Sequence, residues 1–286
     1  MSARLVVTAD DFGMSLEVNE AVEEAHRNGI LTNASLVVAG DAAEDAIRRA
    51  KRMPKLGVGL HLAMFGAPAQ HSGEAQQRLA PDGKNLGESP VSTGIAIMFS
   101  PAARAAAKRE IEAQFRAFGQ TGLELGHLDG HWHCHQHPTI LNMSIAAARP
   151  LGLRAVRIPY EGLGWSHRVT GHRRLGARIG HAVSHAPLAA FMRLRTRVAG
   201  LRANDHFFAK SDAGSISGDQ LLGLVRNLPG GTTEVGLHPA TRLRSGLHSP
   251  PAEWDSTGEL TALTDPRLRA EIDRRGIVLC RWADLP

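Results

Sequence analysis

The amino-acid sequence predicts an α/β fold, a closed or slightly broken (β/α) barrel formed by residues 1–286 as a single domain. Three observations lead there. Short β-branched or apolar runs alternate with helical patterns along almost the whole chain, which argues for a parallel sheet covered by helices. The residues suited to chemistry follow the ends of predicted strands, where barrel active sites are built. With 286 residues and 43% hydrophobic side chains, the chain can bury a large core and is not a disordered polymer. An open doubly wound sheet would also put ligands at strand ends. No internal repeat of fixed period occurs.

Taken in order, Leu5 to Thr8 is an apolar, buried-type strand. The helix after it opens at Ser15, an N-cap residue, and closes at Gly29, a C′ residue. Leu36 to Ala39 reads as a second strand, and Asp41 with Glu44 as a capping-box start to a helix ending before Pro54. Leu56 to Leu62 is a third strand. About forty residues rich in Gly, Pro and Ser follow, Gly66 to Pro90 above all, and predict a long loop or lid. Ser100-Pro101 opens a long Ala/Arg helix closing at Gly119 or Gly122. Leu125 to Asp129 and Ala155 to Ile158 are further strands, and Phe207 to Ala209 is a weak one. Thr233 to Leu237 and Ile277 to Cys280 are clearer, with Asp265-Pro266 capping the helix between them.

The charge balance, 33 Lys+Arg against 28 Asp+Glu, is local in origin. A basic helical insertion at about 160–205 carries most of a run of ten arginines from Arg154 to Arg202, with Glu161 the only acid among them. The run lacks the interleaved aromatics of a nucleic-acid groove, so no nucleic-acid partner is expected. Within it Leu188, Phe191, Leu194, Val198 and Leu201 recur at three- and four-residue spacing, with Arg193, Arg197 and Arg202 off that stripe. This pattern fits either a barrel helix with its stripe on the core or a basic amphipathic helix lying on an anionic membrane. No apolar run is long enough to span a bilayer. The start MSARLVVTADDFG reads as a strand and not a signal peptide, so Cys134 and Cys280 are expected as free thiols in a reducing cytoplasm.

The chemistry concentrates at four places. Asp10 and Asp11 leave the first strand side by side, two carboxylates that repel unless a cation lies near. His61 ends the third strand, a position more often structural than ligating. Five of the chain's 15 histidines (His127, His131, His133, His135 and His137) fall within eleven residues directly after a strand. Their spacing is neither a zinc finger nor HExxH, and metal-sequestering tracts belong in tails. His238 ends a late strand in EVGLHP. In a barrel these four strand ends converge, and the set suits a divalent ion held by two imidazoles and one carboxylate, with positions open to water and substrate.

The motifs ADDFG (Ala9–Gly13), GLHL (Gly59–Leu62), HLDGHWHCH (His127–His135) and EVGLHP (Glu234–Pro239) together resemble the YdjC-like carbohydrate deacetylase family. The stretches Asn28–Gly40, Ala106–His127 and Leu153–Glu161 are most similar to its hopanoid biosynthesis-associated branch, HpnK. The resemblance implies a distorted, TIM-like (β/α) barrel and removal of the acetyl group from an N-acetylglucosaminyl hopanoid. It makes Asp11, His61 and His131 the ligands of one divalent ion, zinc or magnesium. It makes Asp10 the general base and His238 the general acid. His133, His135 and Arg157 would contact substrate or stand behind the ligands, and Trp132 and Cys134 have no implied role. The expected partners are an N-acetylated sugar or glycolipid, and peripheral contact with the inner face of the membrane. Other readings are a deacetylase of soluble chito-oligosaccharides, a non-catalytic metal-binding protein and a two-metal phosphoesterase.

Overall fold

The computed structural model describes residues 3–71, 76–171, 175–243 and 250–286. The strands are β1 (Arg4–Phe12), β2 (Asn33–Leu36), β3 (Gly57–Leu62), β4 (Leu128–Gly130), β5 (His206–Phe208), β6 (Thr232–Leu237) and β7 (Val278–Leu279). The helices are α1 (Leu16–Asn28), α2 (Ala43–Lys51), α3 (Pro90–Phe99), α4 (Pro101–Gln120), α5 (Pro138–Ala148), α6 (Leu163–Thr170), α7 (Leu175–Val198), α8 (Gly218–Arg226), α9 (Ser256–Leu263) and α10 (Pro266–Arg275). All strands are parallel and belong to one curled sheet in the order β4-β3-β2-β1-β6-β5.

β1 organises this sheet because it is long enough to serve three partners. One edge pairs with β6 from Arg4 to Ala9. The other is divided, with β7 taking Arg4 and Leu5 and β2 starting at Thr8. The sheet curls toward closure between β4 and β5, and here the expected strand Ala155–Ile158 is reduced to single bridges, Leu128 with Val156 and Ala155 with Arg202. Beyond them a side chain takes over from backbone pairing. The Asn204 amide accepts from the Ile158 N–H at 2.7 Å and donates to the Ile158 carbonyl at 2.9 Å. The result is a distorted barrel whose strand C-termini form one mouth.

Several boundaries differ from the sequence reading for identifiable reasons. β2 runs Asn33–Leu36 and not Leu36–Ala39, because the backbone turns after Leu36, with Val37 N–H on the Phe12 carbonyl and Gly40 N–H on that of Val37. Asp41 does not cap α2. Asn19 fastens this corner instead, accepting from Gly13 N–H at 2.8 Å and donating to the Ala42 carbonyl at 3.0 Å. Ser15, Ser100 and Asp265 cap α1, α4 and α10 as expected. Gly29 closes α1 with negative φ, and its role is space: a Cβ there would stand 2.3 Å from the Leu263 carbonyl oxygen.

The expected long loop is shorter, since Pro90 to Phe99 forms α3 behind a Ser89 cap. What remains of it is tied down where it is described, residues 72–75 lying outside the described residues. Buried Glu110 on α4 accepts from the backbone N–H groups of Gln70 (2.8 Å) and His71 (2.9 Å) and from the Gln76 side chain (3.0 Å).

On α7 the buried line is Ala182, Ala189, Met192 and Thr196. The anticipated stripe is split: Leu188 and Phe191 are half-buried, while Leu194 and Val198 are 58% and 68% exposed. α7 descends from the mouth, where Arg178 meets Glu161 and Asp212, to the base, where Arg202 pairs with Ala155. Arg193 and Arg195 are engaged, the first with the carbonyls of Asn204 and Asp205, the second with Asn142. Arg173 and Arg174 of the basic run lie outside the described residues. Cys134 and Cys280 are buried free thiols. No helix among the described residues is long and apolar enough to cross a membrane.

Because Glu110 satisfies two loop N–H groups in the interior, Glu110→Ala should lower stability by about 2–4 kcal/mol. Limited proteolysis should then cut first between residues 66 and 90, and chemical denaturation gives the magnitude. Unchanged cleavage would mean that the loop is held by other contacts.

Candidate active site

Adjacent residues on a strand point to opposite faces, yet Asp10 and Asp11 act at one mouth. The pairing register of β1 with β2 slips between Ala9 and Phe12, and Asp11 takes a left-handed backbone with φ 62°. This bulge turns both carboxylates toward the mouth. Such strain is kept where a site requires it.

Asp11, His61 and His131 converge there. Asp11 Oδ1 lies 3.0 Å from His131 Nδ1 and 3.6 Å from His61 Nε2. The other nitrogen of His61 faces Asp129 Oδ1 at 2.8 Å, an outer carboxylate of the kind that fixes a ligating imidazole. Burial alone would depress His61, but Asp129, Asp10 and Asp11 outweigh it and raise it to about 9. The donor set of two nitrogens and one carboxylate, inside a surplus of buried acid, fits a divalent cation.

That surplus has one fixed counter-charge. Arg157 is fully buried and grips Asp10 with two nitrogens, at 2.7 and 2.8 Å. It also meets Asp129 at 2.9 Å and Glu234 at 2.8 Å, over the face of Phe207. Burial would lower its pKa, yet these acids hold it well above the ordinary arginine value. Asp129 is pushed up by burial but held well below the usual carboxylate range by Arg157 and His61. Glu234 is raised by its burial. Ser35 donates to Asp129 Oδ2 at 2.6 Å, and His127 Nε2 lies 3.0 Å from that hydroxyl.

His238 stands on the opposite wall, its Nε2 3.8 Å from Asp10 Oδ2 and its ring 4.4 Å from that of Trp254. Burial pulls it below the usual histidine value against the pull of Asp10 and Asp11. Glu259 accepts its backbone N–H at 2.6 Å and is itself raised by burial to about 8. Of the residues expected to touch substrate or stand behind the ligands, Arg157 and His135 are fully buried. His135 donates to the Arg157 carbonyl at 2.9 Å, and burial lowers it to about 4. His133 is half-buried against Phe207 and depressed well below 6.5 by burial and then by Lys210. Lys210, next to Gln136 at 3.3 Å, is lowered by burial to about 8.

Sequence reasoning passed over Asp129, Glu234, Ser35, Glu259 and Lys210. Asp129 and Glu234 sit inside motifs already singled out, and an acid within a histidine run was a readable signal. Ser35, Glu259 and Lys210 gave none, because their partners lie far away in sequence.

Comparison with known proteins identifies the family and the fold. A family model described as YdjC-like protein matches residues 4–274. The chain is similar to a carbohydrate deacetylase of Mus musculus, 32% identical over 99% of this chain and 94% of that one. It is also similar to one from Geobacillus stearothermophilus, 30% identical over 98% and 96%. Among solved structures, a putative cellobiose-phosphate cleavage protein from Enterococcus faecalis V583 shares the fold with a TM-score of 0.70, at 20% identity over 99% of this chain and 98% of that one.

Removing the guanidinium would leave three interior carboxylates without their counter-charge. Arg157→Met should therefore cost about 3–5 kcal/mol in denaturant unfolding. A loss below about 1 kcal/mol would show that those acids are neutral in the folded protein.

Proposed function

The chain belongs to the YdjC-like protein family, and from that premise we propose that it is a metal-dependent carbohydrate deacetylase. Its substrate in this reading is an N-acetylglucosamine unit linked to a hopanoid lipid. The observation that carries the activity is the convergence of Asp11, His61 and His131 next to Asp10, with His238 opposite.

Asp11, His61 and His131 would hold one divalent ion, zinc or magnesium. Such an ion acidifies water, to a pKa of about 7 in the case of zinc, and polarises a carbonyl as a Lewis acid. Asp10 is the general base. Arg157 fixes the plane of its carboxylate by binding both oxygens, and each oxygen keeps a lone pair for the proton of the attacking water. As the water oxygen bonds to the acetyl carbon and the C–N bond breaks, His238 donates a proton to the departing nitrogen. The products are acetate and a free amine. His238 Nε2 and Asp10 Oδ2 are 3.8 Å apart, too far for direct transfer, so the proton that resets the cycle would return by way of a water between them.

The lipid-linked substrate draws on a different part of the molecule. α3 carries no charged residue, and Val91, Ile95, Met98 and Phe99 are exposed along one side, Phe99 to 75%. Pro90 at its start lines the same cleft as His131 and Trp132. An apolar face at the rim of a polar site suits a headgroup enzyme working at a bilayer surface. α7 suits this less well, since its axis runs away from the mouth.

In acetate-release assays, N-acetylglucosaminyl hopanoid should be hydrolysed faster than diacetylchitobiose. The reverse order would make soluble chito-oligosaccharides the substrate, and no release from either would end the deacetylase reading. Calorimetric titration with Zn²⁺ should give one ion per chain for wild type and Asp10→Asn. Asp11→Ala, His61→Ala and His131→Ala should each lose it. Asp10→Asn should also lose at least about a hundredfold in kcat, and full metal content in His131→Ala would remove that residue from the ligand set.

A membrane-docked enzyme should cosediment with anionic lipid vesicles, and Ile95→Ser with Phe99→Ser should weaken that binding. Wild-type protein that stays in the supernatant at low salt would leave α3 without a membrane role.

A further inference from the structure

Trp132 is poorly placed for stability. It lies in the turn of residues 131–136 with φ 48° and ψ 28°, and His133 after it has φ 59° and ψ 32°. Two successive left-handed residues let the chain reverse after β4, so that His131 faces Asp11 while His135 reaches the Arg157 carbonyl beneath. The turn thus explains the backbone at 132, where glycine or asparagine would meet the demand with least strain. It does not explain an indole. Core packing does not explain it either, because Trp132 is 62% exposed.

The surroundings say what the indole could meet. Trp132 borders His131, with ring centroids 6.4 Å apart, and both line a cleft with Asp11, Phe65, Glu88 and Trp254. Gly66, with φ 61°, borders the same cleft next to His131 and Glu88. The walls are flat and apolar, and carboxylate oxygens lie among them. The cleft's described polar lining is Asp11, Glu88 and His131. An aliphatic chain would gain nothing from Glu88 and Asp11. A pyranose ring suits both features, with a C–H face for the indole and hydroxyls at its edge for carboxylates.

We propose that Trp132 is the stacking platform for the pyranose ring that carries the scissile acetamido group, with Glu88 accepting a hydrogen bond from one of its hydroxyls. This rests on the deacetylase reading and adds to it the side chains that orient the sugar. The ring lies on the indole with its acetamido group directed at Asp11 and His131. Trp132 then acts by positioning and leaves proton transfer to Asp10 and His238.

Three variants test this, Trp132→Phe, Trp132→Ala and Trp132→Gly, each assayed for melting temperature, Zn²⁺ content, calorimetric binding of diacetylchitobiose and acetate release. Binding should weaken at least about tenfold in Trp132→Ala and Trp132→Gly and recover in part in Trp132→Phe, with KM rising and kcat within about threefold. Zn²⁺ content should not change, and the melting temperature of Trp132→Gly should equal or exceed that of wild type, since glycine relieves the left-handed backbone. Glu88→Gln should weaken binding less than Trp132→Ala does.

A fall in melting temperature in all three variants would make Trp132 a structural residue and overturn the proposal. Undiminished binding of diacetylchitobiose by Trp132→Ala would do so too, including the case where only a lipid-linked substrate loses affinity. Sugar binding that depends on Trp132 without acetate release from wild type would keep the platform and remove the deacetylase reading, so the two failures are separable.

Discussion

A single guanidinium holds this mouth together. Arg157 binds Asp10 from β1, Asp129 from β4 and Glu234 from β6, so one side chain ties three parts of the sheet at their chemically active ends. Such a cluster costs desolvation energy, and an ion pair of this kind is rarely kept for stability. Its consequence here is geometric. Asp10 cannot rotate, Asp129 cannot leave His61, and the two carboxylates that repel one another at the end of β1 are kept at a fixed separation. Asp11 stands outside the grip of Arg157, and its nearest ring nitrogens belong to His131 and His61. With those two histidines Asp11 forms a donor set that fits a divalent cation.

Backbone strain follows the same boundary. The positive-φ residues other than glycine are Asp11, Trp132, His133 and Ala209, among the described residues, and all follow or end strands at the mouth. Each marks a departure from the alternation of a regular strand. Asp11 turns a carboxylate inward beside its neighbour, and Trp132 and His133 fold the histidine run back on itself. Ala209 follows β5, and Lys210 after it lies beside Gln136. The conformational cost is concentrated where side-chain direction matters and is absent from the strand interiors, which are apolar and regular.

The alternation of strands and helices was readable because it depends on local patterns: capping serines, Pro at the first helical position, β-branched runs. Boundaries failed where a distant group decided them. β2 stops at Leu36 because the chain turns there onto the Phe12 carbonyl, and beyond the single bridges of 155–158 Asn204 takes the place of a strand partner. In the site, Asp10, Asp11, His61, His131 and His238 stood out since their motifs end strands. Their meeting place was implied by the barrel and not by any spacing. The second layer was mostly invisible. Arg157 was singled out only through the family resemblance, as a residue that contacts substrate or stands behind the ligands, and the fold adds that it is enclosed by three acids.

That same run bears on where the substrate comes from. Ten arginines in a segment with one acid suggest an electrostatic surface, but at least four of the described ones have partners within the fold. Arg157 and Arg178 are buried against carboxylates, and Arg193 and Arg195 hold backbone or side-chain acceptors on neighbouring segments. Part of this excess of charge is thus spent within the fold. α3 is the opposite case: no charge, little burial, and four large apolar side chains in water at the edge of the cleft. Solvated arginines need no partner. Exposed valine, isoleucine, methionine and phenylalanine in one row gain nothing from water, so the contact that completes this protein is sought beside the cleft and not along the basic helix.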